Sequence, residues 1–218
     1  MPTPPVFAQV PAYPAFRAPA LASFWQRVLA FLLDSVLLAV PFVVYLGFAM
    51  RPFFAHVTDA MNSGAVVTSD QITIWTNQVR PQITLGAVAG AGLQAVYWIF
   101  MWHRFGQTLG MRATGLECVD EVSARPLPLS RAALRSAFFW LPALLGALLG
   151  ISALGLLTWI AFIVVAFDSR NMGLHDKAAH SLVLANRRHG MPVWAALLVL
   201  IGGWMALGLT FAVIAAGG

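Results

Sequence analysis

The sequence predicts an all-α polytopic membrane protein with three full spans, a helical hairpin at 131–167 and a small cytoplasmic β element. Three observations predict it. Of 218 residues, 60% are hydrophobic and only 10% charged, against about 45–50% and 25% in soluble domains. Four stretches of membrane-crossing length carry almost no formal charge. The Lys and Arg residues crowd into particular segments between those stretches. The mean hydropathy is +0.78, and a single membrane domain accounts for most of so short a chain.

Residues 1–21 hold six prolines and one basic residue, Arg17. No basic segment precedes a continuous apolar core, so the stretch does not read as a cleaved signal peptide. Its proline spacing predicts a disordered cytoplasmic leader. A membrane domain follows at 22–186, with spans at about 24–50, broken only by Arg27 and Asp34, and at 82–102. A further C-terminal transmembrane helix occupies 190–218. Each span supplies roughly the 20 apolar residues that cross ~30 Å of hydrocarbon. The 32 uncharged residues 136–167 would make a straight helix of roughly 48 Å, too long for one upright pass. Pro142, Gly146, Gly150 and Gly155 interrupt it. Either one kinked pass or a hairpin entering and leaving on one side fits.

Charge placement separates these two. One pass puts seven Lys/Arg on one side and six on the other; a hairpin puts eleven on one side and two, Arg51 and Arg80, on the other. Cytoplasmic loops carry the Lys/Arg excess, so a hairpin is expected. Its legs are short enough for a re-entrant form, whose non-helical backbone protein must shield. The N-terminus and the loops 103–130 and 168–189 are then cytoplasmic, and the loop 51–80 and the C-terminus external. In the first cytoplasmic loop, Leu116, Cys118 and a turn at Asp120-Glu121 predict a β-hairpin, with Ser130 capping a helix from Arg131. Leu182-Val183-Leu184 predicts a third strand within 180–185. In the external loop, Asn62-Ser63-Gly64 reads as a turn. Ser69 or Asp70 there reads as the cap of an amphipathic helix through Trp75 into the second span.

Few residues in such a chain can carry chemistry. Arg27 and Asp34 are seven apart, hence on one helix face and about 10 Å apart along the axis. Arg27, at the helix mouth, can snorkel to the headgroups; Asp34 is two turns deeper and cannot. A carboxylate there is costly unless paired, hydrated or protonated. Two readings stay open: a proton- or cation-binding group in a polar cavity, or a buried ion pair with Arg27, Arg112, Arg131 or Arg135. Arg131 and Arg135, one turn apart, flank the hairpin mouth as interfacial anchors, as neutralisers of Asp34 or as holders of an anionic headgroup. His175 and Asp176 are adjacent rather than three or four apart, so they do not face one metal site. A cap-and-turn that locks the hairpin exit to the sheet is their expected role. No phosphate-binding loop, nucleophile elbow or dinucleotide fingerprint occurs, so neither metal nor cofactor is predicted. The lone Cys118 has no disulfide partner and nothing to activate it, and no enzyme is expected. The net charge of +5 reads as an orientation signal, not a nucleic-acid footprint. Gly86-x-x-x-Gly90 favours close helix contact, self-association included.

Four blocks carry a family resemblance. Ser23-Phe24-Trp25-Gln26-Arg27-Val28-Leu29-Ala30-Phe31-Leu32-Leu33-Asp34 resembles the opening of RDD-family membrane proteins. Phe105-Gly106-Gln107-Thr108-Leu109-Gly110-Met111-Arg112 is similar to that family's Gly-x-x-x-Gly-Lys/Arg segment. Pro128-Leu129-Ser130-Arg131-Ala132-Ala133-Leu134-Arg135 and Gly173-Leu174-His175-Asp176-Lys177-Ala178-Ala179 resemble its third and fourth blocks. The resemblance covers about 22–186 in the right order. It implies that the arginine and two aspartates behind the family's name are Arg27, Asp34 and Asp176. Where relatives commonly read Ala-Gly-Thr, this chain has Ala179-His180-Ser181, and the span at 190–218 lies outside the resemblance. The activity it implies is transport of undefined ligands or cation–proton antiport.

Two classes of function are expected from this. One is a small transporter using Asp34 as a titratable site for a proton or monovalent cation, gated by Arg27 and Asp176, with two or more copies enclosing the path. The other is a structural or assembly protein whose Arg/Asp set locks the fold. The lipid bilayer is a partner in either.

Overall fold

A computed structural model describes residues 20–185 and 190–216. The expected disordered leader, up to residue 19, and the basic pair Arg187 and Arg188 lie outside the described residues. The first helix, α1 (Phe24–Ala49), begins at a reciprocal cap. Gln26 Oε1 accepts from the Ser23 N–H at 2.9 Å, and Ser23 Oγ accepts from the Gln26 N–H at 3.4 Å. A second helix, α2 (Arg51–Ser63), ends at Gly64, whose φ of 65° gives a left-handed cap. The expected turn at 62–64 is thus the end of a helix too polar to register as a span.

The helix expected from the external loop into the second span is one continuous element, α3 (Ser69–Phe105). Thr68 caps it, not Ser69 or Asp70, and Gln71 closes the box. Its 37 residues extend roughly 55 Å at 1.5 Å each, more than the ~30 Å of hydrocarbon. Part of it therefore lies beyond the apolar layer, where Trp75 stacks on His56 at 5.2 Å and meets Phe53 edge-on at 6.4 Å. Gly86 faces inward: a Cβ there would lie 2.6 Å from a Tyr45 ring carbon of α1. The Gly86-x-x-x-Gly90 pattern gives close contact with α1 within the chain, against Tyr45 and Phe42.

A short helix, α4 (Leu109–Thr114), leads into strand β2 (Leu116–Asp120). β2 pairs antiparallel with β3 (Ser181–Ala185), from Leu116 opposite Ala185 to Asp120 opposite Ser181. The two-residue strand β1 (Ala20–Leu21) pairs on the other edge of β3, giving the order β1-β3-β2. Two expectations fail here. The 113–130 loop holds one strand, not a hairpin: the turn forms, with Asp120 Oδ1 accepting from Ser123 N–H at 2.9 Å, but the chain then meets Pro126 and Pro128. Proline has no N–H to give to a ladder. Helix α5 (Leu129–Leu149) likewise starts before Ser130, with Pro128 at the cap position.

The hairpin forms, and it is lopsided. α5, 21 residues long, can cross the membrane alone. It ends at Gly150 (φ 71°). The return leg is the 3-10 turn Ser152–Gly155, helix α6 (Leu156–Ile163) and the 3-10 turn Val164–Ala166. The chain then re-enters the end it left, through helix α7 (Leu174–Ala178) and β3. This return, closed by the β2–β3 pairing across the hairpin, excludes a single pass for 131–167. The last helix, α8 (Val193–Ala216), lies along α1, with Gly203 against Val36 and Gly47 against Ile214. Among the described residues, α1, α3, α5 and α8 are the four helices long and apolar enough to span a bilayer.

The core sits where α1, α3, α5 and α6 meet above the sheet. Phe31, Trp98, Phe139 and Phe162 interleave with ring centroids 4.9–6.2 Å apart, a separation at which aromatic pairs attract. Beneath it, Cys118, Leu116 and Val183 bury the upper face of the sheet.

Candidate functional site

Helical periodicity sets Arg27, Ala30 and Asp34 on one buried face of α1. Arg27 lies at the sheet end of the bundle and Asp34 two turns deeper. The two groups meet different surroundings.

Asp34, 4% exposed, is held by three uncharged donors. The Tyr97 hydroxyl donates to Oδ1 at 2.6 Å, the Gly110 N–H to Oδ1 at 2.7 Å and the Thr108 hydroxyl to Oδ2 at 2.5 Å. The Leu109 N–H in turn donates to the Tyr97 oxygen at 3.0 Å. Asp34 thus ties the first turn of α4 to α1. The fit requires glycine at 110, since a Cβ there would fall on the Ala30 carbonyl oxygen and 2.9 Å from Asp34 Cγ. The expected arginine partner of Asp34 is absent among the described residues. Arg27 and Arg135 bind Asp176, Arg131 binds Asp120, and Arg112 is exposed on α4. Chain geometry decides this, because the third turn of α1, which carries Asp34, faces α3 and α4 while the arginines of α5 start level with the sheet.

Asp176 is the hub of the other cluster, with no exposed surface. Arg27 Nη1 donates to its Oδ2 at 2.5 Å, Arg135 Nη1 to its Oδ1, and the Gly173 N–H to Oδ2 at 2.8 Å. One carboxylate thereby joins α1, α5 and α7. Arg27 does not snorkel and Arg135 is no interfacial anchor: both are buried, and Arg135 also stacks over the Trp102 ring at 4.7 Å. Burial opposes ionisation of the Asp176 carboxyl, but Arg135, His175 and Arg27 outweigh it and hold the group below the usual carboxylate range. The Ser181 hydroxyl accepts from Arg135. His180 carries φ 48°, a left-handed conformation that glycine adopts without strain.

The His175 ring lies between Phe139 and Phe162, at 4.8 and 6.0 Å. Burial, against the pull of Asp176 and with the push of Arg135 and Arg27, takes its pKa from 6.5 down to about 3. The unfolded imidazole therefore binds protons more readily than the folded one. Stability is full above about pH 6.5 and falls as pH drops from there towards the folded pKa, by about 1.4 kcal/mol per pH unit. Asp176 adds a loss of the same sign, but only below about pH 4. The apparent melting temperature in detergent is expected to drop between about pH 7 and pH 5, a loss of about 2 kcal/mol. His175→Gln should flatten that slope; an unchanged slope would place the acid sensitivity elsewhere.

Between the two clusters lies a cavity of about 40 Å³, bordered by Arg27, Asp34, Thr108 and Arg135 and walled by aromatic rings. A model of the RDD family matches residues 21–180. The chain belongs to the RDD family. In this RDD protein Arg27 and Asp176 form an ion pair, whereas Asp34 stands apart on neutral donors. Helix α8 lies beyond the matched region. No curated protein and no solved structure matches the chain significantly. Sequence reasoning passed over Tyr97, Thr108, Gly110 and Ser181 as members of the site. Thr108 and Gly110 were within reach, being the polar and glycine positions of a quoted block; Tyr97 carries no such signal, as aromatic residues are common in spans.

Proposed function

We propose that this RDD protein is a transporter-class membrane protein in which Asp34 is the group that takes up and releases a proton. One observation carries the reading: a buried intramembrane carboxylate borders a cavity and is held by neutral donors, with no arginine among the described residues to fix its charge. Donors alone suit an exchangeable proton better than a bound metal cation, which needs oxygen acceptors around it. Intramembrane acids of this kind mark proton and ion routes. The proposed orientation places the sheet end in the cytoplasm, supported by eleven basic residues against two. An enzymatic reading has the least support: Cys118 is buried in the sheet, and burial pushes its thiol up, away from a reactive thiolate.

Proteoliposomes loaded with a pH-sensitive dye and challenged with monovalent cation gradients test this. Wild type should exchange protons for cation, and Asp34→Asn should lose at least about nine-tenths of that flux, a tenfold effect worth about 1.4 kcal/mol. Wild-type flux in the Asp34→Asn protein would end the proposal. A second reading, a structural or assembly factor, is favoured by the Arg27–Asp176–Arg135 cluster. It expects no flux in wild type and a lowered melting temperature in Asp34→Asn.

A further inference from the structure

The polar atoms around the cavity do not balance. Arg27 spends Nη1 on Asp176 and Nε on the Ala22 carbonyl at 3.4 Å, leaving Nη2 with no hydrogen-bond partner among the described residues. Arg135 spends Nη1 on Asp176 and Ser181, leaving Nε in the same condition. Both side chains are more than nine-tenths buried and both border the one cavity. A buried guanidinium N–H without an acceptor is costly, and two of them on one cavity call for a shared acceptor.

Charge counting narrows what that acceptor is. The charged groups around the cavity are Arg27 and Asp34 from α1, Arg135 from α5 and Asp176 from α7; α3 offers the Tyr97 hydroxyl and α7 the His175 ring. Asp176 offsets one arginine. The charge of the second is offset only while Asp34 is ionised, and Asp34 directs its own oxygens to Tyr97, Thr108 and Gly110. Once Asp34 is neutral, a surplus positive charge faces an aromatic-walled space. At about 40 Å³, against roughly 10–15 Å³ per water, that space has room for one small anion of halide size.

We propose that this cavity is a binding site for one small monovalent anion of halide size, held by Arg27 Nη2 and Arg135 Nε and competing with negative charge on Asp34. The site stands on the two arginines and the cavity, so it holds or fails whether or not the protein moves protons.

Crystals of wild type and Asp34→Asn soaked in bromide, with anomalous data collected at the bromine edge, locate the ion. A peak within about 3.5 Å of both nitrogens is expected. Equilibrium binding of radiolabelled chloride in detergent should be saturable at one ion per chain, and about tenfold or more tighter in Asp34→Asn, where the competing charge is gone. Arg135→Lys keeps the positive charge and lacks Nε, and should weaken binding about fivefold or more. No bromide peak in the cavity of either protein, or binding no tighter in Asp34→Asn, overturns the proposal. Should Asp34→Asn fail to fold, the wild-type bromide map decides alone: a peak in the cavity supports the site, and water alone overturns it. Absent flux with a bromide peak would defeat the transport reading and leave this one standing.

Discussion

Asp176→Asn is expected to destabilise the fold more than any other single substitution at the site. The carboxylate is fully buried and answers two buried arginines on two different helices. Asparagine keeps the shape and one acceptor but leaves both guanidinium charges without a counter-ion. Removing one member of a buried pair costs about 3–5 kcal/mol, and here two pairs lose the same partner. The hairpin exit would then detach from α1 and α5, taking β3 and the sheet with it. Cys118 provides a direct readout, being the sole cysteine and fully buried in the middle of β2. It should resist a maleimide in wild type and label rapidly in Asp176→Asn, with a melting temperature lowered by many degrees. An unlabelled Cys118 and a loss below about 1 kcal/mol, the scale of a surface pair, would show that the cluster does not hold the fold.

Gly110→Ala is the second large effect. The added methyl would meet the Ala30 backbone carbonyl and the Asp34 carboxyl, neither of which is the free end of a flexible side chain. Either α4 moves off α1 or the carboxylate loses the Gly110 N–H, and Thr108 and Tyr97 shift with it. Overpacking alone costs about 1–3 kcal/mol, and an unsatisfied buried carboxylate adds to it. Gly92→Ala is the matched control: nothing lies within 4 Å of a Cβ at Gly92, on α3. That change should be neutral or stabilising by up to about 1 kcal/mol, because alanine is the better helix former. Equal melting temperatures for Gly110→Ala and wild type would mean that α4 is not clamped as the structure places it.

Spans and hairpin were legible in the residues because transfer into lipid is nearly additive along a segment, and helix length follows from rise per residue. Loop charge reported the return of the chain through 131–167 for the same reason: it is a sum over short segments. The limits of that reasoning fall at particular residues. α2 was invisible because its polar face denies it a hydropathy signal. Leu116–Asp120 read as half a hairpin because its partner, Ser181–Ala185, lies across the whole α5–α6 excursion. Pro126 and Pro128 were the warning that the nearer partner could not exist.

The site divides in the same way. Sequence alone determined that Arg27 and Asp34 share a helix face, that both lie within a span, and that a carboxylate at 34 needs relief from the membrane; these are consequences of helical periodicity and of solvation. Which relief each acid finds was settled only by tertiary structure. Asp176, read as a turn residue, takes both arginines, and Asp34, read as a partner for one of four arginines, takes a phenol, a hydroxyl and a backbone N–H. Pairing of charges depends on approach to within a few ångströms between residues 41 and 149 apart in the chain. No local pattern encodes that distance; the packing of α1 against α3, α4, α5 and α7 does.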